Sequence, residues 1–377
     1  MLPSFAKLVE EHDANSDGVI QQSEFPRLWI FHRPEGIEAP QNGAPIRFRS
    51  VDRNKDEGII AGEWGRQLRD IERFRNGYNE NDFASASSTT DGKQLYCWFG
   101  SAGLYCYDLD GNKVWERDLG EAKVGSSLGE GCSPVLHEGK LVIVRDHAGQ
   151  SSIEVLDGKT GDTLWQRERD EDNAWATPRV IQHSGKTQVI TAASGAVRSY
   201  DLNSGEIIWQ YSGLTGNVTP CPVIDGDYVI CMSGYQGYAA MAIPLTETGD
   251  MAGSEKILWK RERGTPYIPS PLLYDALLFY NQSNQSILTC VDSKTGEAVF
   301  GPERIGQLSS IYASPVGASG RVYITGRNGT TLVLERSADF KVLASNQLDE
   351  RIDASPALAD GHLFLRGAKH LYCVERL

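Results

Sequence analysis

From about residue 83 onward, apolar and polar residues alternate in short runs that stop at clusters of Asp, Asn and Gly. This period-two pattern predicts strands joined by turns. The runs also repeat. "LYCYDLDGNKVW" (104–115), "IEVLDGKTGDTLW" (153–165), "VRSYDLNSGEIIW" (197–209) and "LTCVDSKTGEAVF" (288–300) share one template, with Gly111, Gly161, Gly205 and Gly296 each four positions before Trp115, Trp165, Trp209 and Phe300. Two copies are degraded: "KILW" ends at Trp259 after a longer insert, and "LVLERSADFKVL" (332–343) has no glycine. In the template, the Asp is expected to bind turn amides, the Gly to take a positive φ, and the ring to project into the neighbouring repeat.

A second signal falls between the first ones. "CSPVLHEGKLVIV", "ATPRVIQHSGKTQVI", "TPCPVIDGDYVIC", "PSPLLYDALLFY", "ASPVGASGRVYI" and "ASPALADGHLFL" each carry Ser, Thr or Cys before Pro, then strand, turn and strand, and "ASSTTDGKQLYC" is a first copy without the proline. Seven units of four short strands result. A lone four-stranded sheet cannot bury both faces, whereas seven packed radially can, each covering the next. The expected fold is mainly β, a seven-bladed β-propeller of four-stranded antiparallel blades over residues 77–377. The seventh unit, "ASPALADGHLFLRGAKHLYCVERL", supplies three strands. Its fourth is expected from the N-terminal side, from residues near "YNENDFAS" or from chain upstream of Met1.

Residues 1–76 follow a different pattern. "FAKLVEEH" puts Phe5, Leu8 and Val9 on one helical face, and the twelve residues "DANSDGVIQQSE" (13–24) then place oxygen donors at the spacing a hard dication needs. Asp13, Asn15, Asp17, the Val19 carbonyl, Gln21 through water, and Glu24 are the ligands for Ca²⁺; Gly18 takes the sharp turn and Ile20 faces a partner loop. "DRNKDEGIIAGE" (52–63) is the second loop, with Asp52, Asn54, Asp56, the Gly58 carbonyl and Glu63 as ligands and Ile59 opposite Ile20. It has Glu57 where glycine belongs and Ile60 where a side-chain ligand belongs, so the second loop is expected to bind more weakly. "EFPRLWIF" reads as an exit helix, giving a small α-helical domain of helix–loop–helix units.

Two resemblances follow from these motifs. The paired loops resemble the EF-hand family across residues 1–76, which implies one or two Ca²⁺ ions. The Asp–turn–Gly–Trp template resembles the PQQ-like, tryptophan-docking β-propeller repeat across about 83–377. That superfamily includes quinone-dependent alcohol dehydrogenases and outer-membrane assembly scaffolds of the BamB type, so the resemblance specifies fold more than function. The two motifs together are similar to proteins encoded by planctomycetes.

The 377 residues carry a formal net charge of −13, nearly all of it after residue 76, and no basic cluster. Nucleic acid is therefore not an expected partner. No apolar run is long enough for a membrane-spanning helix, and the first residues lack a signal-peptide pattern. The seven cysteines sit singly inside strand-like runs and read as buried small hydrophobes. Quinone-dependent enzymes of this superfamily carry adjacent cysteines and eight blades; this chain has neither, so PQQ is not expected. No other catalytic constellation stands out. The functional expectation is a non-enzymatic, calcium-binding scaffold in an extracytoplasmic space, docking a protein or small ligand at one propeller mouth, where Trp175, Tyr267, Tyr312 and Asp353 precede the innermost strands. A PQQ-dependent alcohol or aldose dehydrogenase and a BamB-like assembly scaffold are the alternatives.

Overall fold

The strands of the repeated region form seven antiparallel sheets because each hairpin turn is closed by its own side chains. Asp157 Oδ1 accepts the amides of Lys159 and Thr160 at 2.8 and 3.1 Å, and Asp292 Oδ1 accepts those of Lys294 and Thr295, both at 2.9 Å. Gly161 and Gly296 complete these turns at φ of 77° and 69°. The computed structural model describes residues 4–26, 28–30, 44–46, 51–52, 55–64, 85–124, 128–251 and 256–375. Asn54 and the segment 78–84 lie outside them. The chain forms two units, Met1–Asp82 with Ser126–Gly129, and Phe83–Gly125 with Glu130–Leu377.

The second unit is the seven-bladed propeller. Blade one comprises Thr89–Thr90, Gln94–Trp98, Leu104–Asp108 and Lys113–Arg117, paired in that order from the inner to the outer strand, and blades two, five and six repeat the arrangement. In blade four the insert lies between the third and outer strands. Its Gly249–Asp250 segment pairs in parallel with Trp209 and Gln210, adding a fifth strand to blade three. Blade seven has three strands among the described residues, Ala357–Ala359, His362–Arg366 and Leu371–Val374.

Two sets of contacts hold neighbouring blades together. At the inner strands, the residue before each proline links one blade to the next. The Ser133 amide donates to Thr177 Oγ1 at 3.0 Å, Cys221 to Ser270 Oγ at 3.0 Å, Ser270 to Ser314 Oγ at 2.9 Å and Ser314 to Ser355 Oγ at 2.9 Å. Ser87 does the same to Ser133 Oγ at 2.9 Å, without a following proline. At the outer strands, the rings of blades one, two and four lie on the turn of the next blade. The Trp115 indole donates to the Gly158 carbonyl at 2.9 Å, Trp165 to Leu202 at 2.7 Å and Trp259 to Ser293 at 2.7 Å. In each case the acceptor is the residue after the turn aspartate.

Arginines two residues beyond these rings complete the clamp. Arg117 Nη1 donates to the Gly161 carbonyl at 2.5 Å, Arg261 Nη1 to Gly296 at 2.7 Å and Arg167 Nη2 to Ser204 at 3.3 Å. The insert of blade four changes the partners of Trp209, which is fully buried among Met241, Met251 and Ile243. Blade six has Ala344 at the ring position, opposite Val333 in the same register. A cleft of 1010 Å³ remains between blades six and seven, lined in part by Val333, Ala344, Leu363 and Leu365.

In the first unit, Phe5–His12 is a helix capped by Ser4 Oγ, which accepts the Lys7 amide, and its Leu8 packs with Ile20, Val51, Ile59 and Trp64. Ile20–Gln21 pairs antiparallel with Gly58–Ile59, so Ile20 lies opposite Ile59 and Gln21 opposite Gly58. The exit run is not a helix. Leu28–Ile30 pairs as a strand with Ala44–Ile46. Pro26 holds Phe25 toward extended backbone, and the aromatic and β-branched residues that follow favour a strand. With one eight-residue helix, a helical turn at 61–64 and two short ribbons, the described part of this unit is mixed rather than α-helical.

The docking geometry sets an unequal cost for two equivalent glycines. A Cβ on Gly161 would lie 2.8 Å from the Trp115 ring, whereas one on Gly111 would meet nothing within 4 Å, and both have positive φ. Gly111→Ala should cost about 1 kcal/mol and Gly161→Ala about 1–3 kcal/mol more, read as denaturant midpoints. Equal losses would show that the ring contact is not what the turn glycine serves.

Candidate functional site

One mouth of the propeller gathers the loops that precede the inner strands and the hairpins between second and third strands. Carboxylates fasten these two sets of loops together. Glu130 Oε1 accepts both the amide and the hydroxyl of Ser101 at 2.6 Å, and Glu171 accepts the amides of Gly195 and Ala196 at 2.8 and 3.1 Å and pairs with Arg198. Below them Arg169, fully buried, forms a fork on Asp146 at 2.7 and 3.0 Å and donates to Tyr200 Oη at 2.6 Å. A buried bidentate pair with its remaining donors satisfied fixes geometry more than it adds stability.

This frame spans blades one to three, and an arc of aromatic and charged side chains lies over blades four to seven. Tyr235, in the hairpin "GYQGY", stacks on Tyr267 with ring centroids 5.0 Å apart and an interplanar angle of 28°. Burial raises the Tyr267 pKa, opposed by a hydrogen bond with Asn217 and reinforced by Tyr235 and Tyr312. The Arg327 guanidinium lies 3.7 Å from the Tyr312 ring centroid and donates through Nε to Asp353 Oδ1 at 2.7 Å. Arg351 Nη2 reaches Asp353 Oδ2 at 2.6 Å. Tyr267 thus belongs to a stacked pair, and Tyr312 and Asp353 to a neighbouring group joined by Arg327.

Trp175, expected on the same rim, is buried instead. Its amide donates to the Val218 carbonyl at 2.8 Å, and its ring helps to close a pocket of only 10 Å³ over Cys132, Asp146 and His147. Such a space holds no ligand, so Trp175 packs a blade junction. Sequence reading passed over Tyr235 and Arg327 because it followed only the positions before inner strands. The signal was available in "GYQGY" and "GRNGT", where glycines flank a large side chain at a hairpin tip.

The loops of the first unit hold the other candidate residues. Gly18 and Glu57 occupy equivalent places with φ of 76° and 68°, so Glu57 carries the strain that glycine avoids. A Cβ on Gly58 would lie 2.5 Å from Val19 Cγ1, so this position requires glycine. The loop oxygens accept loop amides: Asp13 Oδ2 from Gly18 at 2.8 Å, Asp17 Oδ1 from Val19 at 2.8 Å, Glu24 Oε1 from Ala14 and Oε2 from Gln21, both at 3.0 Å. Asp13 Oδ1 is enclosed and accepts no hydrogen bond. In the second loop, Asp52 accepts from Lys55 and Glu57, Asp56 from Gly58 and Glu63 from Ile60. Among the described residues no three His, Cys, Asp or Glu side chains stand close enough together to hold a metal ion unaided. A cation in the first loop would also draw on Asn15, Gln21 and the Val19 carbonyl.

The ring-on-turn joints and the fastened mouth define a tryptophan-docked β-propeller. The chain belongs to the family whose model is described as outer membrane protein assembly factor BamB, which matches residues 64–302. Among solved structures it is similar to BamB from Moraxella catarrhalis, at 15% identity over 76% of this chain and 92% of that one with a TM-score of 0.45. The quinohemoprotein alcohol dehydrogenase from Comamonas testosteroni, at 10% identity, aligns over 76% of this chain and 65% of that one with a TM-score of 0.56, a likeness of fold. No curated protein matches the chain.

His147, beside Trp175, gives the mouth a pH dependence. Burial lowers its pKa, helped by the charges of Arg145 and Lys123, and its Nδ1 accepts the Gly149 amide at 2.9 Å, a bond only the neutral ring can accept. The unfolded chain, with an ordinary value near 6.5, takes up the proton first as pH falls, so this contribution is complete above about pH 6.5 and declines below it. Urea midpoints at pH 7.5 and 5.5 should differ more for the wild type than for His147→Gln. The same difference in both would remove His147 from the account.

Proposed function

We propose that this protein is a non-enzymatic docking scaffold that presents the Tyr235–Tyr267–Tyr312–Arg327–Asp353 arc to a protein partner outside the cytoplasm. The observation that carries the reading is this arc, whose Tyr267 and Tyr312 loops are tied to the blade-five hairpin through Asn284. Aromatic residues and arginine supply contact area and hydrogen bonds at low entropic cost, which is why they dominate binding hot spots. Membership of a family described by outer-membrane assembly supports an envelope setting and a partner that is itself a protein. No helix of the described residues is long and apolar enough to cross a membrane.

Within this reading the first unit is a calcium clamp. The enclosed Asp13 Oδ1, the positive-φ turn at Gly18 and the Ile20–Ile59 pairing support Ca²⁺ in the first loop. Titration of Ca²⁺ into the whole chain should release one heat that Asp13→Ala combined with Glu24→Gln removes. Glu57→Gly should strengthen the second, weaker site roughly five- to tenfold by relieving about 1 kcal/mol of backbone strain. Absence of heat at millimolar Ca²⁺ would end the clamp.

The docking mouth has its own test. Tyr267→Ala with Tyr312→Ala, compared with wild type in crosslinking to envelope proteins of the source cell, should lose specific adducts while circular dichroism stays native. Adducts unchanged by the pair would move the docking face elsewhere. Absorbance titration with PQQ and Ca²⁺ examines the dehydrogenase alternative, and saturable binding with alcohol-dependent dye reduction would replace the scaffold reading.

A further inference from the structure

The chain as a whole is acidic, with a formal net charge of −13, and the loop entering blade three adds exposed Asp170 and Asp172 to the mouth. The far side of the same mouth has the opposite character. In blade seven the hairpin 367–370, between the second and third strands, pairs with the loop that enters the blade. The Ala368 amide donates to the Arg351 carbonyl at 3.0 Å, and Gly367 forms a bridge with Ile352. This pairing brings Arg366 and Lys369, both exposed, to the segment that carries Arg351 and Asp353, and so to the edge of the Tyr312–Arg327–Asp353 group. Folding thus assembles a basic patch that no run of the sequence contains.

The carboxylates of this patch are engaged by the fold. Glu350 lies under the hairpin with its side chain 5% exposed, where it accepts the Lys369 amide and stands 3.4 Å from His370 Nδ1. Asp353 is shared by two guanidiniums, Arg327 at 2.7 Å and Arg351 at 2.6 Å. Among the described residues Arg366 and Lys369 have no carboxylate partner. With exposed Asp349 counted, the four cations Arg327, Arg351, Arg366 and Lys369 face three carboxylates, two of them already engaged. Charges farther than about 8 Å are largely screened at physiological ionic strength, so this local excess, and not the acidity of the whole chain, meets an approaching segment.

We propose that the partner docked at this mouth presents an acidic peptide segment, with carboxylates on Arg351 and Lys369 and an apolar or aromatic residue against Tyr312 and the Tyr235–Tyr267 stack. The inference rests on the docking reading of the mouth and adds the charge of what binds there. Carboxylates match the planar fork of arginine, and the half-buried rings beside it supply apolar contact. A polyphosphate backbone is a poorer fit, because its affinity grows with the number of phosphates neutralised and this patch is small.

The probe is the rhodamine-labelled, blocked peptide Gly-Glu-Trp-Glu-Glu-Gly, with counterparts in which every Glu is Gln or Lys, titrated into the whole chain. Anisotropy should show saturable binding of the Glu peptide, about tenfold tighter than the Gln peptide at about 50 mM salt, with the ratio falling toward one at about 500 mM. Arg351→Glu with Lys369→Glu, both at exposed positions, should reverse the order so that the Lys peptide binds best, with circular dichroism unchanged. Tyr267→Ala with Tyr312→Ala should weaken the Glu and Gln peptides alike and preserve their ratio. Equal affinity of those two peptides, no saturation by about 1 mM, or an order unmoved by the double charge change would overturn the acidic partner and leave the docking mouth to its crosslinking test. Tighter binding to phosphatidylserine vesicles than to the Glu peptide would also overturn it, assigning the patch to a lipid surface. If the charge order held while the tyrosine pair changed neither peptide affinity nor crosslinked adducts, the tyrosine arc would fall and the acidic-segment site would stand.

Discussion

An indole N–H bound to a carbonyl of the neighbouring sheet is the contact from which the rest of this structure follows. A four-stranded blade has two apolar faces and no means of covering either alone. The Trp115, Trp165 and Trp259 joints cover one face of each neighbour and fix its rotation through a directional bond. Hydrophobic burial alone would let the sheets slide over one another; a hydrogen bond of 2.7–2.9 Å from a ring lodged over a glycine does not. The same constraint explains the glycine, since any side chain there would occupy the volume of the ring.

The part of this arrangement that depends on local chemistry was legible in the sequence. Asp, turn, Gly and ring recur at constant spacing because each serves one step of a hairpin and its joint. The arginine two residues beyond Trp115, Trp165 and Trp259 was passed over, since a charged residue on an outer strand looks like a solvated one until the neighbouring carbonyl is seen. Leu28–Ile30 was misread because an apolar run beside a loop has no period of its own, and only Pro26 hinted at extended backbone. Trp175 was misplaced for another reason. Position before an inner strand says which mouth a residue approaches, and not how deeply it is buried.

The mouth shows how a repeat fold makes room for side chains that are not repeated. Glu130, Glu171 and the Arg169–Asp146 pair meet backbone and side-chain donors below the rim, so the loops keep their course without relying on the residues at the tips. Over blades four to seven Asn284 takes that part: its side chain accepts the Ile268 amide at 3.2 Å and its carbonyl the Ile311 amide at 2.8 Å, which orders the Tyr267 and Tyr312 loops before any partner binds. Sequence could supply three members of this group but not their partners, because Tyr235 reaches Tyr267 of the next blade and Arg327 bridges Tyr312 of its own blade to Asp353 of the next.

Stability in such a ring is close to a sum over blades and joints, so a joint lacking its ring is weaker without weakening the others. Blade six has Ala344 where blades one to five carry Trp or Phe, and the strands of blade seven are correspondingly exposed. An unfilled joint cannot be compensated by tighter packing elsewhere, because the turn amides and the ring position are fixed by the hairpin itself. The cleft between blades six and seven therefore retains apolar surface that a ring would otherwise cover.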